Sequence, residues 1–168
     1  MRLRGYGLFF IPTGLEYKKL YGIVNSLSAQ HATSLFTPHL TLIGPLNGDR
    51  DYIISKTMEL AKTIKKTKIK INGIDWGDDF YKCIFATVEN TPELTYAATT
   101  SREIFELKSL NFNPHVSLMY GDLPSTKKEG IRQQLGDLEM SFVAERISLF
   151  SIEGEVEDWY RIQDFELK

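Results

Sequence analysis

The 168-residue chain has a single cysteine, Cys83. An internal disulfide is therefore excluded, and a reducing setting, the cytoplasm, is expected. Cys83 stands in Tyr81-Lys82-Cys83-Ile84-Phe85-Ala86, where a buried structural thiol is expected in preference to a nucleophile. Long apolar runs are also missing, and nothing approaches the roughly 20 residues that span a bilayer. Met1-Arg2-Leu3-Arg4-Gly5 has two charges, but the apolar stretch behind it ends at Pro12 without a small-residue cleavage site. A first strand is expected there, with no signal peptide and no membrane partner. The glycines are scattered, so no Gly-rich phosphate loop is present.

Positive charge is not in excess, since the net charge is −2. Binding a long nucleic acid relies on many Lys and Arg contacts to phosphate. The one basic run is Lys62, Lys65, Lys66, Lys68 and Lys70, and its last three members alternate with Thr67 and Ile69. That alternation fits a solvated face or a protected strand edge. A small nucleotide suits this chain better than a polymer. Length and an ordinary composition (42% hydrophobic, 25% charged) fit one domain over residues 1–168.

What is present is a repeated pentapeptide. Pro38-His39-Leu40-Thr41-Leu42 returns as Pro114-His115-Val116-Ser117-Leu118, with the two histidines 76 positions apart, near half the chain. The alternation predicts strands with Leu40, Leu42, Val116 and Leu118 towards a core. His39 and Thr41 then share the opposite face, as do His115 and Ser117. The third histidine, His31, is also followed two positions later by a hydroxyl, Thr33. It lacks the proline and the alternating aliphatics, and reads as a helix end.

Paired imidazoles on such strands suit phosphodiester cleavage. One histidine deprotonates the attacking water, and the other protonates the departing sugar oxygen. Thr41 and Ser117 would bind the non-bridging oxygens and stabilise charge in the transition state. Rival chemistries fail on count. A zinc site wants three or four ligands, and each motif supplies one histidine beside a hydroxyl. A Ser-His-acid triad uses one histidine, and Ser117 lacks a nucleophile-elbow context. No metal and no cofactor is expected.

Strands are predicted at 6–11, 39–43, 67–76, 81–88, 115–120, 140–152 and 159–167. Helices are predicted at about 14–30, 49–65, 91–108 and 125–135. Gly77-Asp78-Asp79 reads as a hairpin-like turn, and Gly44-Pro45 and Gly121-Asp122 as strand stops. The result is an α+β fold with duplicated lobes, approximately 1–90 and 91–168. It has mixed, mostly antiparallel sheets, helices outside, the motif strands adjacent at the centre and a central cleft.

These motifs resemble those of the two-histidine phosphoesterase superfamily, defined by two His-x-Thr/Ser motifs in a duplicated fold. Within it the chain is most similar to the cyclic nucleotide phosphodiesterases of plants and yeasts. Further points of similarity are the aromatic first strand ending at Pro12, Tyr81-Lys82-Cys83-Ile84-Phe85, Thr91-Pro92-Glu93, and Leu118-Met119-Tyr120. The resemblance implies metal-independent opening of nucleoside 2′,3′-cyclic phosphates to 2′-phosphates. It equally implies opening of ADP-ribose 1″,2″-cyclic phosphate to ADP-ribose 1″-phosphate. It implies His39, His115, Thr41 and Ser117 as catalytic residues and Tyr120 on a mobile loop covering the substrate. Phe9, in the first strand, is a second candidate for stacking on a base. A monomer is expected, with a small nucleotide, and short RNA ends as a further option, as its substrate. The alternatives are an enzyme acting on RNA 2′,3′-cyclic ends or 2′-5′ linkages, and a noncatalytic RNA- or nucleotide-binding module. The RNA 2′-5′ ligase-like branch typically continues its second motif into Ala-Arg, where this chain has Met119-Tyr120.

Overall fold

A computed structural model describes residues 2–108 and 111–168. Along the chain run β1 (Tyr6–Phe10), α1 (Gly14–His31), β2 (Leu40–Leu46), α2 (Arg50–Thr63), β3 (Thr67–Trp76) and β4 (Ile84–Val88). They are followed by α3 (Pro92–Ile104), β5 (His115–Met119), α4 (Ser125–Leu135), β6 (Glu139–Ala144), β7 (Arg146–Ser151) and β8 (Tyr160–Glu166). All eight strands belong to one sheet in the order β6-β3-β4-β5-β2-β1-β7-β8. Every pairing in it is antiparallel.

The duplication is visible in the topology. β1-α1-β2 and β4-α3-β5 are matching units in which a strand and a helix precede a motif strand. The two motif strands meet at the middle of the sheet through the pair Leu40–Val116. Helix α1 lies against β5 and α3 against β2, so each unit's helix covers the other's motif strand. Leu20, Val24 and Leu27, spaced at i, i+4 and i+7, form the buried stripe of α1. Leu40, Leu42, Val116 and Leu118 are fully or almost fully buried in the same core. Local chemistry fixes the helix starts. The Asp49 carboxylate accepts from the Asp51 and Tyr52 amides at the start of α2, and Thr91 accepts from Leu94 ahead of α3.

Several boundaries differ from the sequence reading. β2 does not stop at Gly44-Pro45 but continues to Leu46, which pairs with Tyr6. A Cβ at Gly44 would lie 3.2 Å from the Gly7 Cα and 3.3 Å from the Tyr6 carbonyl oxygen, so this close crossing favours glycine. The predicted 81–88 strand begins only at Ile84. Tyr81 and Lys82 lie on a 3₁₀ turn (Phe80–Lys82), in which the Tyr81 amide donates to the Asp79 carboxylate. Helix α3 ends at Ile104, closed by hydrogen bonds from the Phe105 amide to the Ser101 carbonyl and from the Leu107 amide to the Arg102 carbonyl, with Glu106 left-handed at φ 54°. The predicted 140–152 strand is two strands, because β6 pairs with β3 on one flank and β7 with β1 on the other. The lysine-rich β3 is not an edge. β6 covers it, and its alternating lysines lie on a solvated face, where Lys70 meets Glu89 and Lys66, just before the strand, meets Glu145. Cys83 is fully buried, as expected.

Candidate active site

A cleft of about 300 Å³ opens over the seam between β2 and β5. His39, Thr41, His115, Ser117, Phe9 and Tyr120 all line it. Register explains why. Phe9 pairs with Thr41 across β1–β2, while Thr87 and Phe85 pair with His115 and Ser117 across β4–β5. The pleat that turns the aliphatic motif residues to the core turns the histidines and hydroxyls to the opposite face.

Each imidazole is held by the same local device. Nδ1 of His39 lies 2.6 Å from the Thr37 carbonyl oxygen, and Nδ1 of His115 lies 2.9 Å from that of Asn113. A carbonyl only accepts, so Nδ1 carries the hydrogen and Nε2 is left as the basic nitrogen of the neutral ring. The motif proline lies between histidine and carbonyl in both copies. Proline fixes its own φ and keeps the residue before it extended. That gives the carbonyl of the residue two before each histidine a repeatable position, and so gives a physical reason for the proline.

The two rings differ in setting. His39 is 6% exposed, with Phe9 stacked on it at 3.8 Å between centroids and Phe36 edge-on at 6.4 Å. This burial lowers its pKa from 6.5 to about 4, against a smaller upward pull from the Thr37 carbonyl. Neighbouring His115 adds a further small push downwards. Burial also lowers the pKa of His115, with Lys82 pushing the same way and the Asn113 carbonyl and Asp79 opposing. Both imidazoles are therefore neutral in the free protein at pH 7, and His115 is the more easily protonated of the two.

The hydroxyls are not equivalent either. Ser117 Oγ donates to the Tyr81 carbonyl at 2.7 Å, so its proton is engaged before any ligand arrives. No hydrogen-bond partner of the Thr41 hydroxyl occurs among the described residues.

Tyr120 directly follows β5, and its ring is 3% exposed. It stacks on Phe36 at 3.8 Å and lies 5.2 Å from Tyr81 and 6.1 Å from Trp159. In this structure it is part of a packed wall and not of a flap over the cleft. One neighbour of Phe9 is His39 itself, and Phe150 lies 5.1 Å away. His31 ends α1 and takes no part in the cleft.

Sequence reasoning missed Tyr81, Lys82, Asp79 and Trp159, which also line the cleft. Three of them come from the 77–83 connection, and its Gly-Asp-Asp start was the available signal. Nothing local in the sequence points Trp159 at the motif strands, because among the described residues β8 pairs only with β7. Among the described residues, no group of three or more His, Cys, Asp or Glu side chains is placed to hold a metal ion.

Comparison with known proteins agrees with this architecture. The profile of the family described as "Cyclic phosphodiesterase-like protein" matches residues 4–167. A cyclic phosphodiesterase of Arabidopsis thaliana is 20% identical over 163 residues, covering 92% of this chain and 90% of that protein. A 2′,3′-cyclic-nucleotide 3′-phosphodiesterase of Yarrowia lipolytica is 25% identical over 173 residues, covering 74% of this chain and 80% of that one. Among solved structures, E. coli LigT complexed with 3′-AMP superposes with a TM-score of 0.67 at 12% identity, covering 100% of this chain and 99% of the other. A Thermus thermophilus protein, TT0787, superposes with a TM-score of 0.62 at 15% identity, covering 99% and 98%. These last two speak for a shared fold. A match across nearly the whole length, over a sheet that pairs two His-x-hydroxyl strands, makes the chain a member of the cyclic phosphodiesterase-like family of two-histidine phosphoesterases.

Proposed function

We propose that the protein hydrolyses nucleoside 2′,3′-cyclic phosphates to 2′-phosphates by paired imidazole acid-base catalysis without a metal, and that ADP-ribose 1″,2″-cyclic phosphate is a further substrate. The observation that carries this reading is two imidazoles at the starts of adjacent strands of one cleft, each tied at Nδ1 to a carbonyl. His39, held neutral by its apolar shell, takes a proton from water through Nε2 as the water oxygen bonds to phosphorus. His115, which takes up a proton from solvent at Nε2 as the phosphodiester anion binds, donates that proton to the departing 3′ oxygen as the P–O bond breaks. Exchange with solvent then restores both rings. Thr41 and Ser117 donate to the non-bridging oxygens. Phe9 keeps His39 buried and oriented. The nucleoside lies against the aromatic wall of Tyr120, Tyr81 and Trp159, which gives stacking with little base preference.

Two sets of variants test these roles. Ser117→Ala is expected to lower kcat about tenfold, because its donor must first leave Tyr81, and Thr41→Ala is expected to lower it further. Neither should match the loss of a histidine. Tyr120→Ala is expected to raise KM several-fold for cyclic nucleotides with a smaller change in kcat. A lower melting temperature with unchanged KM would assign Tyr120 to packing alone.

The reading as a whole is tested by incubating the protein with EDTA and a nucleoside 2′,3′-cyclic phosphate and following the products by phosphorus NMR. The 2′-phosphate is the expected product. A 3′-phosphate, or turnover only after a divalent ion is restored, would refute it.

A further inference from the structure

Lys82 is a cation in the cleft that the acid-base scheme does not use. We propose that it binds a second anionic group of the substrate, so that the preferred ligand is a nucleotide bearing a phosphate in addition to the reacting one. This rests on the nucleotide reading above and specifies it further.

The placement argues for a separate phosphate. Lys82 ends the 3₁₀ turn ahead of β4, and its ammonium lies 4.6 Å from the centre of the Phe85 ring. That ring is 5.4 Å from the His115 ring, so the ammonium is at most 10.0 Å from the imidazole centre. Phe85 belongs to β4, one strand beyond β5 on the side away from β2. Neighbouring strands are about 4.8 Å apart. A phosphate between the two motif strands is already faced by imidazoles and hydroxyls from both sides, and Lys82 stands to one flank of it. A ribose with phosphate on its 2′,3′ edge and another on its 5′ carbon has its charges at opposite ends, as this offset requires.

The charge is also available. Lys56, Lys66, Lys70 and Lys128 each have a carboxylate partner, whereas Lys82 has none among the described residues. Asp79 lines the same cleft, but its carboxylate accepts from the Tyr81 amide at 2.8 Å and caps the turn.

In the free protein the backbone that carries Lys82 is fastened on three sides, two of which do not involve the catalytic hydroxyl. Buried Lys128 donates to the Gly77 carbonyl at 2.7 Å and to Asp78 at 2.8 Å. Ser117 donates to Tyr81 at 2.7 Å, and the Gly121 amide donates to the Phe80 carbonyl at 2.9 Å. A lysine on a fixed turn, without a carboxylate partner among the described residues and lining the cleft, is preorganised for an anion.

Calorimetry with two unreactive ligands, a nucleoside 2′-phosphate and the matching 2′,5′-bisphosphate, tests this. The wild type is expected to bind the bisphosphate about tenfold more tightly, the lower range for a hydrogen bond to a charged group. The advantage should shrink as salt is raised. Lys82→Met is expected to bring the ratio of the two dissociation constants close to one, and Lys82→Arg to keep most of it. A wild type without the advantage, or a ratio unchanged in Lys82→Met, overturns the proposal. The turnover assay with EDTA is a separate readout. Its failure would remove the acid-base reading, while the affinity ratio would still decide the role of Lys82.

Discussion

His39→Ala and His115→Ala should each lower kcat on a nucleoside 2′,3′-cyclic phosphate at least 10²-fold, the low end for one positioned proton-transfer group. Both rings line one cleft and both carry their hydrogen on Nδ1, leaving Nε2 as the nitrogen available to a substrate. Removing either leaves water unactivated or the leaving oxygen unprotonated. The two steps belong to one transition state, so the double variant should be little worse than either single one. His31→Ala is the control. That residue ends α1, outside the cleft, and its loss should leave kcat within about twofold, as for surface changes away from special features. Steady-state kinetics on the four variants with unchanged melting temperatures check the prediction.

The second large effect is on pH. The productive form has one imidazole neutral and the other protonated, and it is most populated between the two pKa values. For the free protein these are about 4 for His39 and a value below the ordinary 6.5 for His115, both lowered mainly by burial. Two ordinary histidines would give a profile of kcat/KM centred near neutrality. Burial moves this one to the acid side, and it should fall about tenfold per pH unit above the His115 pKa. A bound phosphodiester anion favours the imidazolium, so the kcat profile should lie at higher pH than that of kcat/KM. An alkaline limb of kcat/KM above pH 8 would contradict the burial argument.

How much of this could be read from sequence depends on the range of the forces involved. The motif strands, the helix starts at Asp49 and Thr91, and the full run of β3 were legible because alternation, capping and proline act over a few residues. The side-by-side placement of β2 and β5 followed from the repeat and not from local pattern. What escaped was set at long range. The break between β6 and β7 at Glu145 follows from pairing with β3 and β1, and the local sequence keeps its β character throughout. Tyr81 and Lys82 carry a strand-like pattern, but Asp79 captures the next turn before β4 begins. Trp159 enters the cleft from the opposite end of the chain. The depressed basicity of His39 arises from Phe9 and Phe36, one of them on another strand, and no His-x-Thr pattern encodes it.

The central claim is a division of labour, in which one imidazole handles the attacking water and the other the leaving oxygen. It is tested most directly by changing the leaving group. An aryl phosphodiester that expels p-nitrophenolate needs no proton on departure. On that substrate, relative to a nucleoside 2′,3′-cyclic phosphate, the deficit of His115→Ala should shrink at least tenfold, within the range for one proton-transfer group. The deficit of His39→Ala should remain. If both variants show the same deficits on the two substrates, the imidazoles do not divide acid from base and the account is wrong.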